Sequence, residues 1–246
     1  MFSENEKTAV FCKQLEFVYP DGTSALNGIS LNISRDEKVA IIGPNGAGKS
    51  TFLYVLNGIK NGSGKIEILG LKAEQKNLRK IKSLFGLVFQ NPDDQLFCPT
   101  IFDDVAFAPL NSGLKKHQIE ERVKEALQNV GLKNYEQRSS LHLSYGEKKL
   151  VAMASILSMQ PKIIALDEPT SNLDPFHRRK IIKWIKNSTL TCIITSHDLD
   201  MILETCQRVY IFNRGKIVAE GNTQELLKDK KLLEENALEL PLKLQN

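Results

Sequence analysis

The octapeptide Gly43-Pro44-Asn45-Gly46-Ala47-Gly48-Lys49-Ser50 constrains the fold of this chain more than any other stretch. It follows the short apolar run "EKVAIIG" and leads into "TFLYVLNG", so a glycine-rich loop joins a buried strand to a helix that ends near Gly58. The G-x-x-x-x-G-K-[ST] spacing has a mechanism only in that context. Glycines let the backbone wrap closely, and the amides of residues 45–51, Thr51 included, then face an anion at a helix N-terminus. Lys49 adds a point charge suited to β- and γ-phosphates, and the Ser50 hydroxyl suits Mg²⁺.

The remaining pattern extends this strand–loop–helix unit into an α/β chain. "VFCKQLEFVYP" and "GISLNIS" read as strands around a "PDG" turn, and "GKIEILG" and "SLFGLVFQ" as further strands. From about residue 91 to 160 helical patterns dominate. There "KKHQIEERVKEALQNVGL" puts Ile119, Val123, Leu127 and Val130 on one face and stops at Gly131. Strands return at "KIIALD", "LTCIITS" and "RVYIFN", separated by the helices "HRRKIIKWIK" and "DLDMILETC". Such alternation predicts a mostly parallel core sheet with crossover helices, interrupted by a helical insertion. Residues 223–246 read as one charged peripheral helix with a loose end.

Composition narrows the class. With 246 residues, 41% hydrophobic and 25% charged, the chain can bury one substantial core and a smaller lobe. No apolar run approaches the roughly 18 residues of a membrane helix. The start "MFSENEKTAV" carries acidic residues and no apolar centre, which predicts a cytoplasmic rather than exported protein. Cys12, Cys98, Cys192 and Cys206 form no C-x-x-C pair, so they are expected as reduced thiols, mostly in the core. Net charge is +4, and the basic run at 177–186 interleaves with Ile181, Ile182, Trp184 and Ile185. That is a solvated amphipathic helix rather than a nucleic-acid surface.

A second acidic site follows in "KIIALDEPTSNLD". Its apolar strand delivers Asp167 at the C-terminal end, where open α/β sheets place ligands, so Asp167 is expected to reach Mg²⁺. Glu168, one residue on, is expected to orient or deprotonate an attacking water and is the predicted catalytic base.

Tyr19 before "PDG", the glycine loop, Gln90, "LSYGE", "LDEP", "SNLD" and His197 in "ITSHD" occur in an order that resembles the nucleotide-binding subunit of an ABC transporter, over about residues 8–222. The resemblance implies a P-loop NTPase with a mostly parallel core sheet, an antiparallel β subdomain and an inserted helical subdomain, binding ATP and Mg²⁺. It implies that Tyr19 stacks on adenine, Gln90 contacts Mg²⁺ and the attacking water, His197 holds the γ-phosphate, and Asp174 closes its loop across a dimer. In the family the "LSYGE" turn reads LSGGQ and closes on the nucleotide of the partner chain, which would give Ser144 and Gly146 their role. The residues themselves read as an S-x-x-E capping box, Ser144 to Glu147, at a helix N-terminus able to attract an anion. Tyr145 and Glu147 depart from the pattern. They are expected to remove tolerance for φ > 0 and to add negative charge, attenuating closure. Glu147 could instead spend its charge on the cap and on Lys148 or Lys149. His117, His142 and His177 are read as structural.

Phe97, Ile101, Phe102, Val105 and Phe107 follow Gln90 closely, either as a groove for another protein's helix or as core of the helical lobe. Their wording, with "YPDGTSALNGISL" upstream, looks like the energy-coupling-factor and cobalt/nickel importer branch. That likeness implies uptake of a metal ion or vitamin through a membrane coupling subunit and a substrate-binding membrane subunit, with a second ATPase chain, identical or paralogous, and no nucleic acid. A soluble ABC ATPase outside transport would be expected to carry a second nucleotide domain or a long coiled coil, and neither repeat nor heptads occur. A binding-only regulatory subunit, using ATP merely to dimerise, stays open because of Tyr145, and Glu168 and His197 stand against it. A P-loop kinase would have no use for "LSYGE" and "SNLD".

Overall fold

The computed structural model describes residues 7–245; the expectation about an export signal rests largely on residues 1–6 and lies outside them. Strands β1 (Thr8–Val18) and β2 (Ser24–Ser34) pair antiparallel around the "PDG" turn. After them come β3 (Lys38–Ile42), α1 (Lys49–Leu56), β4 (Ser63–Ile68), β5 (Leu71–Lys72), α2 (Leu78–Leu84) and β6 (Phe85–Val88). The helical region holds α3 (Ile101–Asn111), α4 (Lys116–Asn129) and α5 (Tyr145–Leu157). The chain then runs through β7 (Ile163–Asp167), α6 (Pro175–Asn187), β8 (Thr191–Thr195), α7 (Leu199–Thr205), β9 (Arg208–Asn213), β10 (Lys216–Asn222), α8 (Thr223–Leu226) and α9 (Lys230–Glu235).

In β3, Val39 and Ile41 face one side and Ala40 and Ile42 the other, and all four are fully buried. A strand apolar on both faces belongs inside a parallel sheet. It stands third in the order β10-β9-β3-β8-β7-β6, in which only the edge strand β10 is antiparallel. The other sheet, β2-β1-β4-β5, is antiparallel throughout. Two apolar clusters follow from the two faces. Val39, Ile41, Ala165 and Ile193 pack with α1 residues Phe52, Leu53, Val55 and Leu56 and the inner face of the antiparallel sheet. Ala40, Ile42, Ile164 and Ile194 pack with α3 to α7. Burying α1 on both sides anchors the loop before it.

Several elements differ from the sequence reading. "SLFGLVFQ" is a strand only from Phe85; Leu78, Ile81 and the polar residues between them form α2, a helix too short to show its period. Edge strand β10 alternates half-buried with exposed residues, and its Arg214-Gly215 turn has φ of 48° and 73°, the two left-handed residues of a tight hairpin. Asn222 and Asp229 each cap a new helix start, so the charged tail is two short helices instead of one. Nor is it loose: Leu227, Leu233 and Leu238 join the core, and Asp200 accepts the amides of Leu242 and Lys243.

Of the apolar set after Gln90, Ile101 and Val105 are core, and Phe102 packs partly against it. Only Phe97 and Phe107, 68% and 48% exposed, present a surface, with rings edge to face at 5.1 Å. The reading of all five as a groove is corrected to this pair, because the buried faces of α3 are spent on the helical lobe. Cys12, Cys192 and Cys206 are buried and, with the less buried Cys98, are free thiols. Among the described residues no helix is long and apolar enough to cross a membrane.

Candidate active site

Adjacent parallel strands end side by side. The glycine loop follows β3, Gln90 follows β6, Asp167 ends β7 and His197 follows β8, and Thr195 stands beside Asp167 in the β7–β8 ladder. This edge bounds a cavity of about 670 Å³ lined by Tyr19, Asn45, Gly46, Ala47, Gly48, Lys49, Ser50, Thr51, Gln90, Glu168 and His197. The loop's shape is enforced locally. Gly48 has φ of 99°, and a Cβ there would lie 2.3 Å from the Ala25 carbonyl of β2; one on Gly43 would lie 2.1 Å from the carbonyl of Phe212. Lys49 folds back over the loop, donating to the carbonyls of Gly43 at 2.7 Å and Pro44 at 2.9 Å.

Asp167 is buried and its Oδ1 accepts from Ser50 Oγ at 3.0 Å and Thr195 Oγ1 at 2.6 Å. A hydroxyl and a carboxylate held together at a phosphate loop are hard oxygen donors, and they fit Mg²⁺. Glu168 has φ of 46°, an unusual conformation for a side chain of its size. Its Oε2 accepts the amide of His197 at 3.3 Å, while the buried Oε1 has no hydrogen bond and lies 3.4 Å from His197 Nε2. Burial raises the Glu168 pKa above the usual carboxylate range, although the His197 amide and Lys49 oppose this. Burial, and then Lys49, lowers the His197 pKa. Lys49 Nζ lies 3.4 Å from that ring nitrogen. Burial also lowers the Lys49 pKa, against the pull of Glu168 and Asp167.

Tyr19 lines the cavity with its hydroxyl on Thr51 Oγ1 at 2.8 Å, but Lys60 Nζ covers its ring at 4.8 Å. Ser144, Gly146 and Asp174 do not line this cavity. Ser144 caps α5 through the expected box: its hydroxyl accepts the Glu147 amide at 3.3 Å and Glu147 accepts the Ser144 amide at 2.9 Å. Two expectations about this turn change. Tyr145 is the first residue of α5 and is not in the left-handed region, so it strains nothing there. Glu147 spends its second oxygen on the Tyr135 hydroxyl, leaving Lys148 to pair with Asp93 and Lys149 to reach the Phe89 carbonyl. The turn is therefore well partnered within its own chain, and Tyr145 donates to the Gln90 carbonyl at 3.2 Å.

Comparison with known proteins identifies the scaffold. Residues 26–171 match the family model described as ABC transporter. The chain belongs to the ABC transporter family. The energy-coupling factor transporter ATP-binding protein of Methanothermobacter thermautotrophicus is 47% identical, over 93% of this chain and 76% of that protein. Its counterpart in Carboxydothermus hydrogenoformans is 46% identical, over 95% and 88%. Among solved structures, CbiO1 of Clostridium perfringens, part of an ABC transporter complex, superposes with a TM-score of 0.82 at 37% identity, over 94% of each chain. A dimeric ATP-binding cassette bound to ADP and Pi gives 0.79 at 26% identity, over 87% of this chain and 98% of that one.

The site of this ABC ATPase also holds residues that the sequence did not single out. Arg178 grips Asp198 with two bonds of 2.7 and 2.8 Å, Thr170 donates to the same carboxylate, and all three line the cavity. Thr195 and Tyr54, which lies 3.4 Å from Asp167, brace the acidic strand end. Buried Lys149 reaches from α5 to the carbonyls of Phe89 and Asp167. Asp198, as N-cap of α7, was open to a local reading; the others depend on residues more than ten positions away.

Proposed function

We propose that this chain is the ATP-hydrolysing subunit of an ABC import system, peripheral at the cytoplasmic face of a membrane, where it powers uptake of a metal ion or vitamin through separate membrane subunits. Residues 8–222 would be the ATP-binding domain, with the helical insertion at about 91–160 and an appended segment at 223–246. The likeness to energy-coupling factor proteins and CbiO1 supports the import reading. The observation that carries the catalytic reading is Glu168: a buried carboxylate with one unbonded oxygen, beside Lys49 and His197.

The mechanism is positioning and electrostatics. The loop amides and Lys49 would hold the phosphates while Tyr19 supports the base. Ser50 and Asp167, with Gln90, would hold Mg²⁺, which supplies neutralisation of charge on the β- and γ-phosphates. Glu168, its carboxyl shifted upward by burial, would take the proton of the attacking water through Oε1 as the His197 amide fixes Oε2. His197 would hold the γ-phosphate by donating a hydrogen bond from Nε2–H. Ser144, Gly146 and Asp174 would complete the nucleotide site of a second ATPase chain, identical or paralogous.

Replacing Glu168 with Gln keeps shape and removes the base. We expect ATP turnover to fall by about 10²-fold or more and ATP to trap a dimer visible by light scattering. Retained turnover would overturn the assignment of the base. Lost turnover with a persistent monomer would instead mean that a different ATPase chain supplies the other half-site.

A further inference from the structure

We infer that His177 is a positioning residue that locks the Asp174 loop to the "LSYGE" turn within one chain, so that both would meet the partner's nucleotide as a single body; this rests on the dimeric ATPase reading above. His177 is the third residue of α6, with its side chain only 15% exposed. Its Nδ1 stands 2.5 Å from Asp174 Oδ2, while Asp174 Oδ1 accepts the amides of Phe176 at 2.9 Å and His177 at 3.0 Å. Both oxygens of the aspartate are thereby committed, one to the cap and one to the ring.

The other side of the ring presses on Gly146. A Cβ built there would lie 2.4 Å from His177 Cγ and 2.6 Å from Nδ1. Gly146 is the second residue of α5 and has no left-handed φ, so the helix itself would accept, and favour, alanine. What excludes a side chain at 146 in this chain is the imidazole of residue 177. Glu147 and Tyr145 then fix the same turn from its other sides, through Tyr135 and the Gln90 carbonyl. Without the ring, nothing among these contacts joins the Asp174 loop to the turn.

A glycine kept for His177 and a glycine kept for close approach of a partner's phosphate behave differently when both residues change. The test is steady-state hydrolysis by the full chain in the assembly in which it turns over ATP, with urea unfolding alongside. Alanine at 146 should lower kcat about tenfold or more while the ring remains, and His177→Ala added to it should restore kcat to within about threefold of His177→Ala alone. His177→Ala by itself should lower kcat about three- to tenfold with KM for ATP nearly unchanged, because the chain's own nucleotide cavity is intact. His177→Asn, whose amide can reach Asp174 as Nδ1 does, should recover part of that loss. Two results would overturn the proposal: a double variant no better than Gly146→Ala, or His177→Ala with unchanged kcat, which would leave the contact as packing alone. If Gly146→Ala does not fold, the kcat and KM split of His177→Ala decides. Failure of the Glu168→Gln test would strike the ATPase reading without touching the Gly146–His177 coupling seen in unfolding.

Discussion

Lys149 follows two partly exposed charged residues, Glu147 and Lys148, at the start of α5, yet it has no exposed surface. A buried ammonium is tolerated because carbonyls of Phe89 and Asp167 receive it, and because Asp167 and Glu168 attract it. Burial still lowers its pKa from 10.5 to about 8, the two carboxylates only opposing the shift. The sign for stability follows. Between about pH 8 and pH 10.5 the unfolded chain binds the proton that the folded chain has released, so rising pH removes the penalty of burying the charge. The stability of the wild type relative to Lys149→Met should therefore grow with pH across that window, by at most about 1.4 kcal/mol per pH unit. Urea unfolding at a series of pH values would measure it, and a flat difference would mean that the folded lysine keeps its proton across the window as the unfolded one does. Nothing local in "GEKKLV" distinguishes Lys149 from Lys148; only the docking of α5 against the ends of β6 and β7 does.

At the scale of elements, the loop and α1 behave as one unit. Phe52, Leu53, Val55 and Leu56 hold the helix between the two sheets, and Gly48 lets its first turn touch the Ala25 carbonyl. Gly48→Ala adds a side chain both to a left-handed position and to a gap with no room, so we expect it to cost about 1–3 kcal/mol or to shift the loop. Either way ATP affinity should drop at least about tenfold, readable by titration with a fluorescent nucleotide. Undiminished affinity would show that the loop relaxes without loss of its amide cradle. The strand–loop–helix unit was legible because its apolar runs and glycines are contiguous. Short α2, edge strand β10 and the split tail were not, since each is decided by a cap, a tight turn or a few buried leucines.

Across the whole molecule, the nucleotide edge and the helical lobe present different surfaces. Phe97 and Phe107 stand exposed on the lobe, which the chain enters after cavity-lining Gln90. Phe107→Glu should abolish co-purification with a membrane subunit while leaving ATP binding intact; preserved assembly would remove this pair from the interface. Ile101 and Val105 offer no such test, since charging a core residue of α3 would unfold the lobe. By itself, the sequence determined the phosphate loop and the acidic strand end, because each is written in one contiguous stretch, and the order of motifs and the alternation that makes a parallel sheet, because each is a succession of such stretches. Only the tertiary structure decided which apolar residues are surface, that Lys149 is buried, and that His177 rests on Gly146. Those facts depend on the relative placement of elements whose residues are tens of positions apart, and local periodicity carries no information about that placement.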